Sequence, residues 1–220
     1  MSSMILVAAG AGALALGWLA WRGWRGSRIA ELRRLASSLG IARADAARVK
    51  ASGWLDGLDA SWPAASIENP WSGEVAGSEV LLFERRPAGR AADPIALFRV
   101  ESRQVPAFDL TPRDGPTAGG AEQVTFAVGE RFAELYRLAC VDPAITQRLF
   151  RPEVTRFFER AENLDWRIAS DGRWLGIAPW PLGERRRRLS AKHLAAFFED
   201  AKLVFRVLMG EPPRPRIGGS

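Results

Sequence analysis

The sequence predicts an α+β fold, in which an N-terminal transmembrane helix is followed by one domain with a mainly antiparallel sheet and C-terminal helices. Three observations lead to this prediction. Residues 4–21 carry no charged side chain and are apolar on every side of a helix. Strand-like segments are then grouped between residues 72 and 110 instead of alternating with helices. Helical patterns with clear start and stop residues dominate the C-terminal part, and this grouping is typical of α+β domains.

Residues 4–21, MILVAAGAGALALGWLAW, would extend about 27 Å as a helix, close to the thickness of the hydrocarbon core of a bilayer. Arg22, Trp24 and Arg25 follow at once, and aromatic and basic residues favour the headgroup boundary. The alternative is a cleaved signal peptide, which carries positive charge before its apolar core. Only residues 1–3 precede this stretch and none is basic, so the pattern favours a membrane span.

The charges beside this span predict its orientation. Five arginines lie between residues 22 and 34, against one glutamate, and positive flanks stay on the cytoplasmic side. We therefore expect a single-pass protein of the inner membrane whose C-terminal domain lies in the cytoplasm. The one cysteine, Cys140, allows no intrachain disulfide, which agrees with a reducing compartment.

The chain is long enough for one ordinary domain beyond the anchor. Its predicted parts are a short tail (1–3), the transmembrane helix (4–21), a basic juxtamembrane helical segment (22–52), the α+β domain (53–209) and a disordered tail (210–220).

Two helices are predicted in the juxtamembrane segment. Ile29, Leu32, Ala36 and Leu39 recur at helix spacing and predict a helix over residues 28–39, with Gly40 as its stop. Residues 42–51 are predicted as a second short helix. Glycines and prolines between residues 53 and 70 then predict an irregular stretch.

The predicted strands form the next group. Residues 72–76 and 78–85 are predicted as a hairpin joined at Gly77, followed by strands at 95–100 and 107–110. Residues 113–120 are rich in glycine and proline and predict a loop. Residues 132–139 are predicted as a further strand near the core.

Capping residues delimit the C-terminal elements. Asp142 followed by Pro143 predicts a helix start, and Pro152 begins another helix with Val154, Phe157 and Phe158 facing inward. A second hairpin is predicted over residues 166–177, because Asp171-Gly172 is a strong turn dipeptide. Ser190 and Gly210 bound the last helix, whose apolar face comprises Leu194, Phe198, Ala201, Phe205 and Leu208.

Two segments resemble a known family at specific positions. They are VPAFDLTP at residues 105–112 and FAELYRLACVDPAITQRLF at residues 132–150. The matching positions are Pro106, Phe108, Leu110, Pro112, Phe132, Tyr136, Leu138, Asp142, Arg148, Leu149 and Phe150. Over roughly residues 69–208 the chain resembles an uncharacterised family of bacterial membrane-anchored proteins. Cys140 departs from the family's usual glycine, and Glu84-Arg85-Arg86 from its tyrosine-rich stretch. The resemblance implies architecture and anchoring, and it implies no activity.

Positive charge is concentrated in patches although the net charge is only +6. The patches lie at residues 22–34, 184–188 and 211–216, so an anionic membrane surface is a better partner than a nucleic acid. The predicted lipid-headgroup contacts are Arg22, Arg25, Arg28, Arg185, Arg186, Arg187 and Arg188. For the last four, a solvated loop at the start of a helix is the alternative.

The sequence predicts no catalytic residue, no cofactor and no metal site. His193 is predicted to lie at the surface and Cys140 in the core, and one histidine with one cysteine cannot build a typical zinc site. The favoured hypothesis is a non-catalytic interaction or scaffold domain, with the bilayer and another membrane protein as partners. The alternatives are a domain that senses anionic lipid through residues 185–188, and an enzyme that uses Asp142, Glu153 or Asp171. Whether the chain forms a homo-oligomer is left open.

Overall fold

The computed structural model describes residues 30–51, 66–86, 92–101, 104–113, 130–160, 166–180 and 190–210. The strands are β1 Ile41–Arg43, β2 Ser66–Val75, β3 Ser78–Arg86, β4 Asp93–Arg99, β5 Ala107–Pro112, β6 Tyr136–Cys140, β7 Trp166–Asp171 and β8 Trp174–Pro179. The helices are α1 (residues 30–38), α2 Ala46–Ala51, α3 Glu130–Leu135, α4 Pro143–Leu149, α5 Pro152–Arg160 and α6 Ala191–Met209.

The eight strands form one antiparallel sheet in the order β1-β2-β3-β4-β8-β7-β5-β6. The predicted α+β class with a mainly antiparallel sheet and a C-terminal helix is therefore confirmed. Among the described helices, none combines the length and the apolar character that crossing a membrane requires. The span predicted at residues 4–21 and the tail predicted at 210–220 lie outside these residues, except for Gly210.

Both faces of the sheet are packed. The larger core lies between one face and the helices, and there the rings of Phe98 on β4 and Phe205 on α6 stack with their centroids 4.4 Å apart. The opposite face carries a smaller cluster that includes Leu81, Phe83 and Val49 of α2. Burial on both faces explains why β3 and β4 contain continuous apolar runs instead of an alternating pattern.

The first predicted hairpin is confirmed, and the backbone angles of two residues define its turn. Ala76 and Gly77 connect β2 to β3 with φ values of 50° and 75°. A type I′ turn requires a positive φ at both of its central residues. β2 begins at Ser66, earlier than predicted, because a register shift between Glu68 and Trp71 accommodates Pro70 within the strand.

The predicted helix over residues 42–51 is wrong at its N-terminal end. Residues 41–43 form strand β1, which pairs with β2 so that Ile41 lies opposite Gly73. Gly73 permits this approach, since a Cβ atom there would lie 2.7 Å from Cγ2 of Ile41. Helix α1 ends at residue 38, and Gly40, whose φ is 69°, follows it as the predicted stop. Leu32 and Ala36 of α1 are buried in the larger core together with Ile41.

The strand predicted over residues 132–139 is wrong in its first half. Residues 130–135 form α3, and only Tyr136–Cys140 forms a strand. Phe132 and Tyr136 stack with centroids 5.4 Å apart, and Phe132 also packs against Phe150 and Phe158. This aromatic cluster anchors α3 against α5 and the C-terminal end of α4.

The C-terminal predictions are confirmed in detail. Oδ1 of Asp142 accepts a hydrogen bond from the backbone N–H of Ile145 at 3.0 Å and caps α4. Ser190 caps α6 in the same way, and Gly210 ends it with a φ of 90°. Buried side chains along α6 include the five predicted positions, namely Leu194, Phe198, Ala201, Phe205 and Leu208. The hairpin of β7 and β8 turns at Gly172, whose φ is 85°.

Candidate functional site

The arginines predicted to contact lipid headgroups belong to segments outside the described part of the chain. Arg22, Arg25, Arg28 and the run Arg185, Arg186, Arg187 and Arg188 all lie outside the described residues. Their contact with anionic headgroups therefore stays a prediction.

The three carboxylates considered for an enzymatic site lie on separate elements and have local roles. Asp142 caps α4, and Asp171 accepts hydrogen bonds from the N–H groups of Arg173 and Trp174 at the β7–β8 turn, both at 2.7 Å. Glu153 has a 71% exposed side chain and faces Arg151 across 3.8 Å. Asp142 and Asp171 thus accept hydrogen bonds from nearby backbone N–H groups, and Glu153 faces solvent beside an arginine.

The capping role of Asp142 leads to a testable difference between substitutions. Asp142→Ala should lower the stability of the chain by about 0.5–2 kcal/mol, because the N–H of Ile145 loses its partner. Asp142→Asn should keep the hydrogen bond and most of the stability, although it removes the carboxylate. Thermal unfolding of the full chain compares the two variants, and equal losses would show that the charge, and not the cap, matters.

His193 and Cys140 lie where the sequence predicts them. His193 is exposed, with Nδ1 2.8 Å from Oγ of the capping residue Ser190, and Cys140 is buried in the larger core. Within the described ranges, no group of three or more histidine, cysteine, aspartate or glutamate side chains is arranged to hold a metal ion.

One groove of about 450 Å³ is the candidate site, and the sequence analysis missed it. It is partly open and lies where the β2–β3 turn meets the C-terminal ends of α4 and α6. Its lining residues are Ala76, Ser78, Gln104, Ile145, Arg148, Leu149, Arg151, Phe205, Leu208 and Met209. A volume of this size falls within the range of small-molecule sites, about 300–1,000 Å³.

The floor of the groove is formed by core residues that are almost completely covered. Leu149, Phe205 and Leu208 are buried, while Ile145 and Met209 are partly exposed beside them. Phe205 is held flat against Phe98 on β4, so the floor is fixed to the sheet.

The rim of the groove is positively charged. Nη2 of Arg151 donates a hydrogen bond to the backbone carbonyl of Val207 at 3.1 Å, which ties this guanidinium to the end of α6. Arg148 is exposed in the last turn of α4 and makes no hydrogen bond or ion pair in the described part of the chain. The lining contains Arg148 and Arg151 and no aspartate or glutamate, but the carboxylate of Glu153 lies 3.8 Å from Nε of Arg151 and offsets part of its charge.

The sequence contains only a faint signal for this groove. Arg148 and Arg151 flank the apolar pair Leu149-Phe150 in the sequence, at the end of a predicted helix. Nothing in the sequence brings that segment to Ala76 or to the end of α6. The meeting of these three segments depends on the tertiary fold.

A buried ion pair lies elsewhere, on the sheet face opposite the larger core. Nε and Nη2 of Arg167 on β7 contact Oδ1 and Oδ2 of Asp109 on β5 at 3.1 Å and 2.5 Å. The two side chains are only 5% and 15% exposed. The bidentate geometry uses both carboxylate oxygens, which indicates a structural fastening of β5 to β7.

Comparisons with known proteins identify a similar fold and no family. No protein-family model matches the chain, and no curated protein matches it either. A solved structure described as the crystal structure of the mycobacterial trehalose monomycolate transport factor A, TtfA, is similar with a TM-score of 0.58 and 14% sequence identity. The match covers 87% of this chain and 98% of that chain. At 14% identity the similarity shows that the two proteins share an α+β fold. This fold therefore occurs in a bacterial protein.

Proposed function

We propose that this chain is a non-catalytic accessory protein, held by one N-terminal span at the inner membrane with its domain in the cytoplasm. The observation that carries the proposal is the likeness to a transport factor, which extends over 87% of this chain and 98% of the other. A match of nearly two whole chains indicates a shared architecture and not a shared subdomain. The uncharged residues 4–21 supply the anchor in this proposal.

Anchoring gives such a domain a physical advantage. A domain tethered to the bilayer meets membrane partners at an effective concentration that free diffusion does not reach. The arginines at positions 22, 25 and 28 would add attraction to anionic headgroups of about 1 kcal/mol each near the surface. We therefore propose the bilayer and a second membrane protein as the partners.

A biotin ligase fused after residue 220 tests orientation and partnership together. The ligase needs ATP, so we expect labelling only if the domain lies in the cytoplasm, as the five arginines between residues 22 and 34 predict. The labelled proteins should include a membrane protein enriched over the background. Mass spectrometry of the biotinylated proteins is the measurement.

Two control fusions make this result interpretable. The same ligase on residues 1–29 alone reports proteins that are merely near the membrane, so enrichment must exceed that set. An alkaline phosphatase fused after residue 220 is active only after export, so it should stay inactive if the domain lies in the cytoplasm. Active phosphatase would contradict the orientation, and identical labelling with and without the domain would contradict the accessory role.

A further inference from the structure

We propose that the folded domain lies against anionic lipid headgroups through a basic surface at one end of its sheet. This basic surface consists of Arg33 and Arg34 on α1 and Arg43 on β1. The inference rests on the proposed anchor and adds to it the side of the domain that faces the bilayer. The three side chains belong to the described domain and not to the flank at residues 22–28.

Helix α1 is fixed to the domain by its buried side. Leu32 and Ala36 are almost completely buried, and both belong to the larger core. Ile41 of β1 lies in the same core, directly after the turn at Gly40. The helix therefore cannot rotate independently, and its exposed side has a fixed direction relative to the sheet.

The exposed side of α1 is basic. With about 100° between successive residues, Arg34 and Ser37 point away from the buried side, and Arg33 lies beside them. All three residues are exposed. Glu31, the one acidic residue of α1, lies at the opposite border of the helix from Arg33. A surface approaching the exposed side of α1 therefore meets positive charge first.

Arg43 extends the basic surface onto the sheet. It follows Ile41 by two positions in β1, so the two side chains lie on the same face of the sheet. Since Ile41 belongs to the core that α1 covers, Arg43 lies on the same side of the sheet as α1. Arg43 is exposed, whereas Ile41 is buried. The helix and the edge strand thus present their arginines on one side of the domain.

The neighbouring carboxylates are engaged elsewhere or point away. Oδ1 of Asp45 accepts a backbone hydrogen bond at the start of α2, at 2.9 Å. Glu68 on β2 pairs with Arg86 across 3.0 Å. Glu74 precedes Val75, whose side chain lies in the larger core, so Glu74 points to the opposite face of the sheet. None of these acids therefore neutralises the basic surface directly.

The guanidinium groups of the basic surface are available to lipid phosphates. In the part of the chain that the structure describes, none of the three makes a hydrogen bond or an ion pair. A guanidinium can bind two phosphate oxygens with parallel hydrogen bonds. The negative potential of an anionic leaflet decays within about 8 Å at physiological salt. These arginines therefore attract the domain only when α1 and β1 lie directly at the headgroups.

The connection to the span holds this end of the sheet near the bilayer. Residues 22–29 are all that separates the predicted span from α1. Even a fully extended connection would keep the start of α1 within about 30 Å of the end of the span. Strand β6 lies at the other end of the sheet, roughly 34 Å from β1 at the usual strand spacing. The tether therefore favours the α1 end, and the arginines select it as the end in contact.

Headgroup quenching in nanodiscs measures which end of the sheet lies at the bilayer. The full chain with Cys140→Ala carries a fluorophore at Ser37→Cys or at Val141→Cys, and some of the phosphatidylcholine bears a nitroxide on its headgroup. Ser37 is exposed on α1, and Val141 is 83% exposed at the end of β6. In discs with one quarter phosphatidylglycerol, quenching at position 37 should be about threefold stronger than in neutral phosphatidylcholine. Quenching at position 141 should stay weak in both.

Two triple variants show whether the basic surface causes this contact. One removes the basic surface, and the other removes the same charge from α4 and α5. The variants are Arg33→Gln with Arg34→Gln and Arg43→Gln, and Arg148→Gln with Arg156→Gln and Arg160→Gln. The first should lower quenching at position 37 about threefold, and the second should leave it unchanged. Every substituted position is exposed, so the thermal midpoint of both variants should match that of the parent chain.

Three results would overturn the proposal. They are quenching at position 37 that does not respond to phosphatidylglycerol, quenching that the first triple variant leaves intact, and equal quenching at positions 37 and 141. An acidic protein as the true partner of these arginines would give the first result. Alkaline carbonate extraction of the chain from liposomes tests the anchor separately. Release of the chain would contradict the anchored role together with this inference, whereas a retained chain with lipid-independent quenching would contradict this inference alone.

Discussion

Replacing Phe198 by alanine should lower the free energy of unfolding by roughly 3–5 kcal/mol, since a buried ring is lost and the cavity closes only partly. Phe198 is fully buried on α6, in the core between that helix and the sheet. For a chain of this size, each kcal/mol shifts the thermal midpoint by about 2–4 °C. The measurement is the unfolding midpoint of the purified full chain.

The neighbouring residue provides the control for Phe198. Glu199 is 56% exposed and pairs with Lys202 across 2.6 Å on the surface of the same helix. Glu199→Ala should cost at most about 1 kcal/mol, because exposed ion pairs contribute little. If both variants shifted the midpoint by the same small amount, the buried face of α6 would not be the one that holds it to the sheet.

Replacing Arg167 by methionine should destabilise the chain by about 3–5 kcal/mol, because Asp109 would then keep a buried charge without a partner. The double variant Asp109→Leu with Arg167→Met should recover most of that loss, since it removes both charges. Denaturant unfolding of the two single variants and the double variant gives the coupling energy.

A partly exposed pair on β2 and β3 is the matched control. Arg86 and Glu68 lie 3.0 Å apart, but their side chains are 40% and 26% exposed. Arg86→Met should therefore cost far less than Arg167→Met, at most about 1 kcal/mol. A double variant at Asp109 and Arg167 that is as unstable as the single variant would show that packing, and not charge, fastens β5 to β7.

The predictions that the structure confirms rest on local chemistry. Asp142 and Ser190 could be assigned as caps because a side-chain oxygen before a helix meets free N–H groups two or three residues later. The apolar face of α6 could be assigned because its spacing follows the helical period. Gly77 and Gly172 could be assigned to turns because both require a positive φ.

The predictions that are wrong concern segments whose structure depends on distant residues. Phe132, Leu135 and Tyr136 follow helical spacing for one turn only, which is too short to distinguish a helix from a strand without the aromatic partners Phe150 and Phe158. Residues 42 and 43 were predicted to be helical, but they join Ile41 in a strand because β2 offers an edge to pair with. In both cases a tertiary contact overrides a weak local preference.

The sequence by itself determined the α+β class, the helix limits around residues 142–160 and 190–210, and both hairpin turns. Only the tertiary structure decided the groove and the buried ion pair, because each joins residues far apart in the chain. Ala76, Arg148 and Met209 meet at one end of the sheet, and Asp109 meets Arg167 across 58 positions. Caps and turns are encoded within a few residues, whereas a binding surface exists only once the sheet order has brought its segments together.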